Sequence, residues 1–413
     1  MKRIFLAILC LAWVAACVGL AAQHKKNSTR TKTASKTVVS SKKSAKRNAS
    51  SRRTSSKVRR AVASPKVKSN KRRVRSTRYR KARRVYSPWD TPNFADSTYG
   101  DVIDGEDLTV RRAAVAALGP YNGTVVVANP TTGRILTIVN QKLALTGAYQ
   151  PCSTIKLVAG IAGLNEGIID RETKLRLSRR ESINLTWALA KSNNPYFANI
   201  GEKLGFDKVY HYARLLGLGE KAGLGIEGES AGLFPDEKPK SIPVGLMTSF
   251  GEAIGLTPLQ LTSLIGTIAN GGTMYWLQYP KSQEEILGFV PKVKRELDIQ
   301  AAVPEMRPGM MGAVDFGTAR RAGYSADEPI MGKTGTCTDA RTHLGWFGSF
   351  NEVNGTKLVV TVLLTGGSAV NGPVASGIAG QVYKNLSEQQ WFARRQEITP
   401  SAEVLTGTSG YVR

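Results

Sequence analysis

Residues 24–86 hold 25 Lys and Arg and not one Asp or Glu, and this stretch decides where the chain can fold. Its other positions are largely Ser, Thr and Ala, with almost no aromatics. Such a segment cannot bury enough apolar surface to offset its ordering entropy, so it is expected to be disordered. Lys2 and Arg3 aside, the rest of the chain sets 31 basic residues against all 31 acidic ones, so the net charge of +27 belongs to the N-terminal part. The folded body must come from the charge-balanced remainder, which is long enough to bury a substantial core.

Lys2-Arg3 followed by the uncharged run Ile4–Ala22 reads as an export signal over residues 1–23. Its 19 residues are long for a cleaved signal and nearly enough to span a bilayer. Three fates are open: retention as a membrane anchor, cleavage near Gly19-Leu20-Ala21, or a lipid on Cys17 in Val14-Ala15-Ala16-Cys17. The dense positive charge just beyond argues against a simple anchor, because basic flanks prefer the cytoplasmic side. The tract 24–86 itself reads as a solvated spacer or as a tether to anionic lipid or wall polymers. Nucleic acid is disfavoured as its partner, since Tyr79 is almost alone as a ring for a base to stack on.

Residues 87–105 carry Pro88, Pro92, Gly100 and Gly105 and read as a linker into a domain over 106–395, with 396–413 as a tail. Asp107–Leu118 has helical character, closed by Gly119-Pro120. Thr124–Asn129 and Ile135–Asn140 are β-rich runs joined by a hairpin signal, Pro130-Thr131-Thr132-Gly133. The middle, 153–290, reads as mostly helical with Gly and Pro breaks. Strand character returns in Ile330–Thr338, Leu344–Phe350 and Lys357–Thr365, with Asn354-Gly355 turning between the last two. One closing helix is expected over Val374–Arg394. Two early strands and three late ones predict an α+β fold: a five-stranded antiparallel sheet flanked by helices, set against a mainly helical lobe. The groove between the two is the natural place for a site.

The body holds only Cys152 and Cys337, and the chain only three histidines, His24, His211 and His343. That is neither a disulfide framework nor a metal-ligand cluster, so no metal and no cofactor is expected. Chemistry points instead to Pro151-Cys152-Ser153-Thr154-Ile155-Lys156, which opens a strongly apolar helical run through Leu164. Ser153 then sits at or near the helix N-terminus, with Lys156 one turn on and on the same face. A serine hydroxyl is a poor nucleophile without a base in reach. A lysine serves as that base when burial and a neighbouring cation favour its neutral form. N–H groups at a helix start favour a developing oxyanion.

Ser-x-x-Lys alone is weak; Ser40 and Lys43 match it by chance in the basic tract. Two further motifs follow in order. Ser192-Asn193-Asn194 is a turn able to present a hydroxyl for proton relay and an amide for a substrate peptide group, though taken alone it is ordinary turn chemistry. Lys333-Thr334-Gly335-Thr336 opens a predicted strand. There Lys333 supplies a second cation, the threonines supply hydroxyls, and Gly335 lets a ligand backbone approach the strand edge.

Together the three form the set shared by penicillin-binding proteins and serine β-lactamases. Over about 105–395 the chain resembles the transpeptidase domain of a penicillin-binding protein. Thr124–Val139 resembles that family's opening hairpin, and Leu185–Gly217 the stretch around its second motif. Glu227–Gly232, Leu256–Leu261, Ala269–Gly272 and Trp346-Phe347 resemble further landmarks.

The resemblance implies that Ser153 is the acylated nucleophile, Lys156 its general base and Ser192 the proton relay. It implies that Asn194, Lys333, Thr334, Gly335 and Thr336 bind substrate, with backbone N–H groups of Ser153 and Thr336 as the oxyanion hole. The implied reaction acylates Ser153 with a D-Ala-D-Ala peptidoglycan stem peptide, releases D-alanine and cross-links the acyl group to a neighbouring strand. β-Lactams would acylate the same serine. Other cell-wall synthesis proteins are conceivable partners, and the expected location is the cell envelope, on the outer face of the cytoplasmic membrane, or secreted.

Two departures stand out. The stretch between the opening hairpin and Ser153 is shorter than usual, and Cys152 stands where the family often has glycine. Cys152 and Cys337 flank motifs that should meet in space; free buried thiols are the favoured reading, a disulfide the alternative. Three competitors remain. A D,D-carboxypeptidase shares every residue named. A β-lactamase needs a second base, and the class A Glu-x-x-Leu-Asn loop is missing from the sequence. A penicillin-binding sensor or scaffold would have no turnover.

Overall fold

Near-continuous apolar runs, buried on both faces, build the sheet at the centre of the protein. The structure, a computed structural model, describes residues 87–398; the export signal, the basic tract and the residues from 399 on lie outside the described residues. The five strands are β1 (Gly123–Ala128), β2 (Ile135–Val139), β3 (Ile330–Thr338), β4 (His343–Val353) and β5 (Thr356–Gly366). They form the one five-stranded antiparallel sheet that the sequence predicts, and its strand order is β2-β1-β5-β4-β3. Asn354 and Gly355 both take positive φ (51° and 76°), which the tight turn between β4 and β5 demands. From that turn the two strands pair without a slip, from Val353↔Thr356 to His343↔Gly366.

Helices cover both faces. Besides two short helices, Gln141–Thr146 and Gln283–Leu287, they are α1 (Leu108–Leu118), α2 (Lys156–Asn165), α3 (Leu185–Ala190), α4 (Asn194–Leu215), α5 (Val244–Phe250), α6 (Pro258–Ala269), α7 (Ala302–Asp315), α8 (Gly372–Glu388) and α9 (Trp391–Ile398). Successive strand residues point to opposite faces. Phe347, Val360, Val362 and Leu364 join a core with α1 and α8. Trp346, Phe350, Val359 and Leu363 join the larger core of the helical lobe. Local signals start the helices: Asp107 accepts hydrogen bonds from Thr109 and Val110 N–H ahead of α1, and Thr257 and Gln260 form a capping box on α6. All twelve residues of α6 are buried, as befits a helix wedged between sheet and lobe.

Two expectations change. The closing helix is not continuous; it breaks after Glu388, where Gln390 takes φ 55°, and α9 restarts at Trp391 with its ring buried in the α1–α8 core. The middle is less helical than expected, with a long irregular stretch between α4 and α5 and two short ribbons, Leu175–Arg176 with Ser182–Ile183 and Thr273–Tyr275 with Val293–Glu296. Residues 87–105 lie against the sheet. The Trp89 ring stands 4.5 Å from that of His343, and Asn93 Oδ1 accepts from Gly367 N–H.

Candidate active site

β3 is an edge strand of the sheet, and it meets a 3-10 turn, Cys152–Ile155, that leads directly into α2. The approach is close. A Cβ added to Gly335 would lie 2.9 Å from the Pro151 carbonyl oxygen and 3.1 Å from the Trp346 Cβ, so only glycine fits at this crossing. Gly335 thus makes room for the turn carrying Ser153. Trp346 Nε1–H donates to Gln150 O (2.9 Å) and pins the same turn from the sheet side.

Within the turn Ser153 is partly exposed, and Lys156 is fully buried one turn on. The Lys156 Nζ donates to Asn194 Oδ1 (2.7 Å) and Ser249 O (2.5 Å) and shares a hydrogen bond with the Ser153 hydroxyl (2.6 Å). The rings of Phe197 and Phe250 close over it, with centroids 5.9 and 5.8 Å away. Asn194 is the first residue of α4, held there because Asn193 caps the helix by accepting from Tyr196 N–H. Ser192, at φ 57°, turns its hydroxyl the other way to accept from Lys333 Nζ (2.7 Å). Lys333 Nζ also donates to Thr334 O (3.0 Å). Thr334 and Thr318 share a hydroxyl hydrogen bond of 2.6 Å, and Thr336 Oγ1 accepts from Gly372 N–H (2.8 Å) at the start of α8.

The eight residues singled out from sequence therefore converge on one seam between β3 and the helical lobe. Sequence reasoning missed Ser249, which acts through a main-chain carbonyl that no side-chain pattern marks, and Thr318, which lies in an unremarkable loop after α7. It also favoured free thiols, whereas Cys152 and Cys337 form a disulfide with Cα atoms 5.6 Å apart. The geometric reason is the same close crossing that Gly335 permits, which brings the two residues beside the motifs within bonding reach.

Burial sets the electrostatics. Lys333 is fully buried, and loss of hydration pushes its pKa down to about 7. Lys156 is held well below the ordinary lysine range, first by burial and second by the charge of Lys333. A buried, neutral amine beside a serine hydroxyl and a second cation a short distance away is an arrangement suited to nucleophilic acyl transfer.

Residues 123–388 match the family model of the penicillin binding protein transpeptidase domain. Stage V sporulation protein D of Bacillus subtilis (strain 168) is 26% identical over 325 residues, which is 66% of this chain and 50% of that protein. Peptidoglycan D,D-transpeptidase FtsI of Escherichia coli (strain K12) is 23% identical over 321 residues, 66% of this chain and 53% of its own length. The chain thus spans about half the length of these relatives. Among solved structures, Pseudomonas aeruginosa PBP2 in complex with WCK 5153 aligns with TM-score 0.60 at 22% identity, over 73% of this chain and 81% of that one. The D,D-transpeptidase domain of a peptidoglycan glycosyltransferase from Eggerthella lenta reaches TM-score 0.60 at 19% identity, over 72% and 87%. Those two likenesses speak to fold, and the family match covers sheet, lobe and every residue of the seam. The chain belongs to the penicillin-binding protein transpeptidase family.

Proposed function

We propose that this protein is a peptidoglycan D,D-transpeptidase that works through an acyl-enzyme on Ser153. The observation that carries this reading is the set of three partners around Lys156 Nζ. A neutral amine has two N–H bonds and one lone pair. Asn194 Oδ1 and Ser249 O can only accept, so they take both N–H bonds and leave the lone pair for the Ser153 hydroxyl. Burial and the Lys333 charge favour that neutral form.

Ser153 Oγ attacks the penultimate D-alanyl carbonyl of a stem peptide while its proton passes to Lys156. The backbone N–H groups of Ser153 and Thr336 receive the oxyanion. Ser192 relays a proton to the leaving D-alanine amine, and Lys333 with Thr334 and Thr336 holds the terminal carboxylate against the Gly335 backbone. Asn194 has a double part, orienting Lys156 and offering its amide to the substrate backbone. The acyl group then passes to the amine of a neighbouring strand, and a β-lactam acylates the same oxygen. Cell-wall chemistry of this kind belongs to the cell envelope outside the cytoplasmic membrane, with the sequence 1–23 as export signal or anchor and the basic tract as a tether to anionic lipid or wall polymer.

The full chain, given a pentapeptide stem ending in D-Ala-D-Ala and an amine acceptor, should release D-alanine and form the cross-linked peptide by mass spectrometry. Ser153→Ala and Lys156→Met should form neither product. Release of D-alanine with only the hydrolysed tetrapeptide would make the protein a carboxypeptidase instead.

A further inference from the structure

Two bonded cysteines bracket the seam. Cys152 directly precedes Ser153, Cys337 directly follows Thr336, and their disulfide joins positions 185 residues apart in sequence. We infer that the Cys152–Cys337 disulfide is a positioning element of the acylation step: it sets the spacing of the Ser153 and Thr336 backbone N–H groups, so that acylation runs at full rate only in the oxidised protein. The inference rests on the transpeptidase reading given above.

Each of the two N–H donors lies one residue from a bridged Cα, and the two belong to different parts of the fold. Ser153 is in the 3-10 turn at the head of α2, and Thr336 is on the edge strand β3. The non-covalent contacts across this seam are packing and one hydrogen bond to a carbonyl. Trp346 holds the carbonyl of Gln150, and Gly335 packs against Pro151. The disulfide is the covalent tie beside both donors, and it acts on a residue that needs holding. Cys152 sits at φ 51°, a left-handed conformation that a residue with a Cβ keeps only when its surroundings enforce it. Without the bridge, residue 152 is free to relax toward ordinary backbone, and the peptide N–H of Ser153 turns with it.

Exposure says how the bridge would open. Cys152 is fully buried and Cys337 is half-buried, so an external thiolate reaches the Cys337 sulfur. A dithiol reductant attacks there, forming a mixed disulfide and expelling the Cys152 thiolate, which takes up a proton. The second thiol of the reductant then closes on its own bonded sulfur and releases Cys337. Two electrons pass to the protein, and the reductant leaves as its cyclic disulfide.

Loss of one oxyanion donor costs roughly 10²–10³ in rate, and a misplacement of about 1 Å costs up to ~10². Bridge opening should therefore lower the acylation rate constant by ~10- to 100-fold, while the dissociation constant of the preceding complex changes by less than about threefold. The test follows a fluorescent penicillin by stopped flow and extracts both constants for the full chain in four states: oxidised, reduced with dithiothreitol, reoxidised, and as the double variant Cys152→Gly/Cys337→Ala. Glycine tolerates the positive φ at 152, so a loss in that variant is not strain from the new side chain. Circular dichroism gives the folded fraction in each state.

A drop in the rate constant in the reduced protein and in the variant, with reoxidation rescuing only the native chain, is the expected result. An unchanged rate constant in folded, unbridged protein overturns the inference, as does a loss that merely follows the unfolded fraction. An oxidised protein that acylates indifferently to its bridge sinks this inference alone. An oxidised protein that forms no adduct sinks the transpeptidase reading, and this inference with it.

Discussion

Lys156 and Lys333 are both fully buried, and a buried lysine favours the neutral amine. Their proposed roles require opposite charge states. Lys156 must be neutral to take the Ser153 proton, so acylation is lost as pH falls through its depressed pKa. Lys333 must be charged to hold a carboxylate, so substrate capture is lost as pH rises through about 7. The acylation efficiency with a penicillin should be bell-shaped, with the alkaline limb near pH 7 belonging to Lys333. In Lys333→Arg, which keeps its charge at all working pH values, that limb should vanish; a limb that survives unchanged in the arginine variant would assign it elsewhere. The same shift bears on stability. Between about pH 7 and the ordinary lysine value near 10.5, the unfolded chain binds the proton that folded Lys333 has given up, so stability rises with pH across that window. Lys333→Met should remove this dependence and stabilise the protein at pH 6 by about 1–3 kcal/mol, measured by urea unfolding, while abolishing acylation.

At the scale of elements, the strands were the most legible part of the chain. Runs of β-forming apolar residues and the Asn354-Gly355 turn marked β4 and β5, because strand propensity and the turn both leave direct traces in side chains. The meeting of Ser153, Lys156, Ser192 and Lys333 was legible for a related reason: they are polar side chains at short, motif-like spacings. What stayed hidden depends on main-chain geometry or on long-range approach. Ser249 contributes a carbonyl, and the break at Gln389-Gln390 carries no glycine or proline to announce it. The Cys152–Cys337 bond depends on a crossing of two elements that nothing local encodes. That crossing is testable through Gly335→Ala. The added methyl would stand 2.9 Å from the Pro151 carbonyl and 3.2 Å from Thr154 Cγ2, forcing the 3-10 turn away from β3. Acylation should fall by roughly tenfold or more, with thermal unfolding shifted by only a few degrees. A Gly335→Ala protein that acylates at the native rate would show that the crossing has slack.

For the molecule as a whole, the site sits on a core that sheet and lobe share. Cys152, Ile155 and Phe197 belong to the same buried cluster as Trp346 and Phe350 of the sheet, so the nucleophile's turn is anchored in both halves at once. Trp346→Ala should cost about 3–5 kcal/mol and should lower the stability of sheet and lobe together, seen as one transition by tryptophan fluorescence and circular dichroism. Two separate transitions would mean that the halves fold independently. In the proposed mechanism all of this geometry serves one event, the attack of Ser153 on an acyl donor. Mass spectrometry of the full chain after incubation with a penicillin, beside Ser153→Ala and followed for hours, tests that event most directly. The account predicts a single adduct on the peptide containing Ser153, stable over the time course and missing from the variant. An adduct that clears within seconds, or no adduct on a demonstrably folded chain, would contradict it.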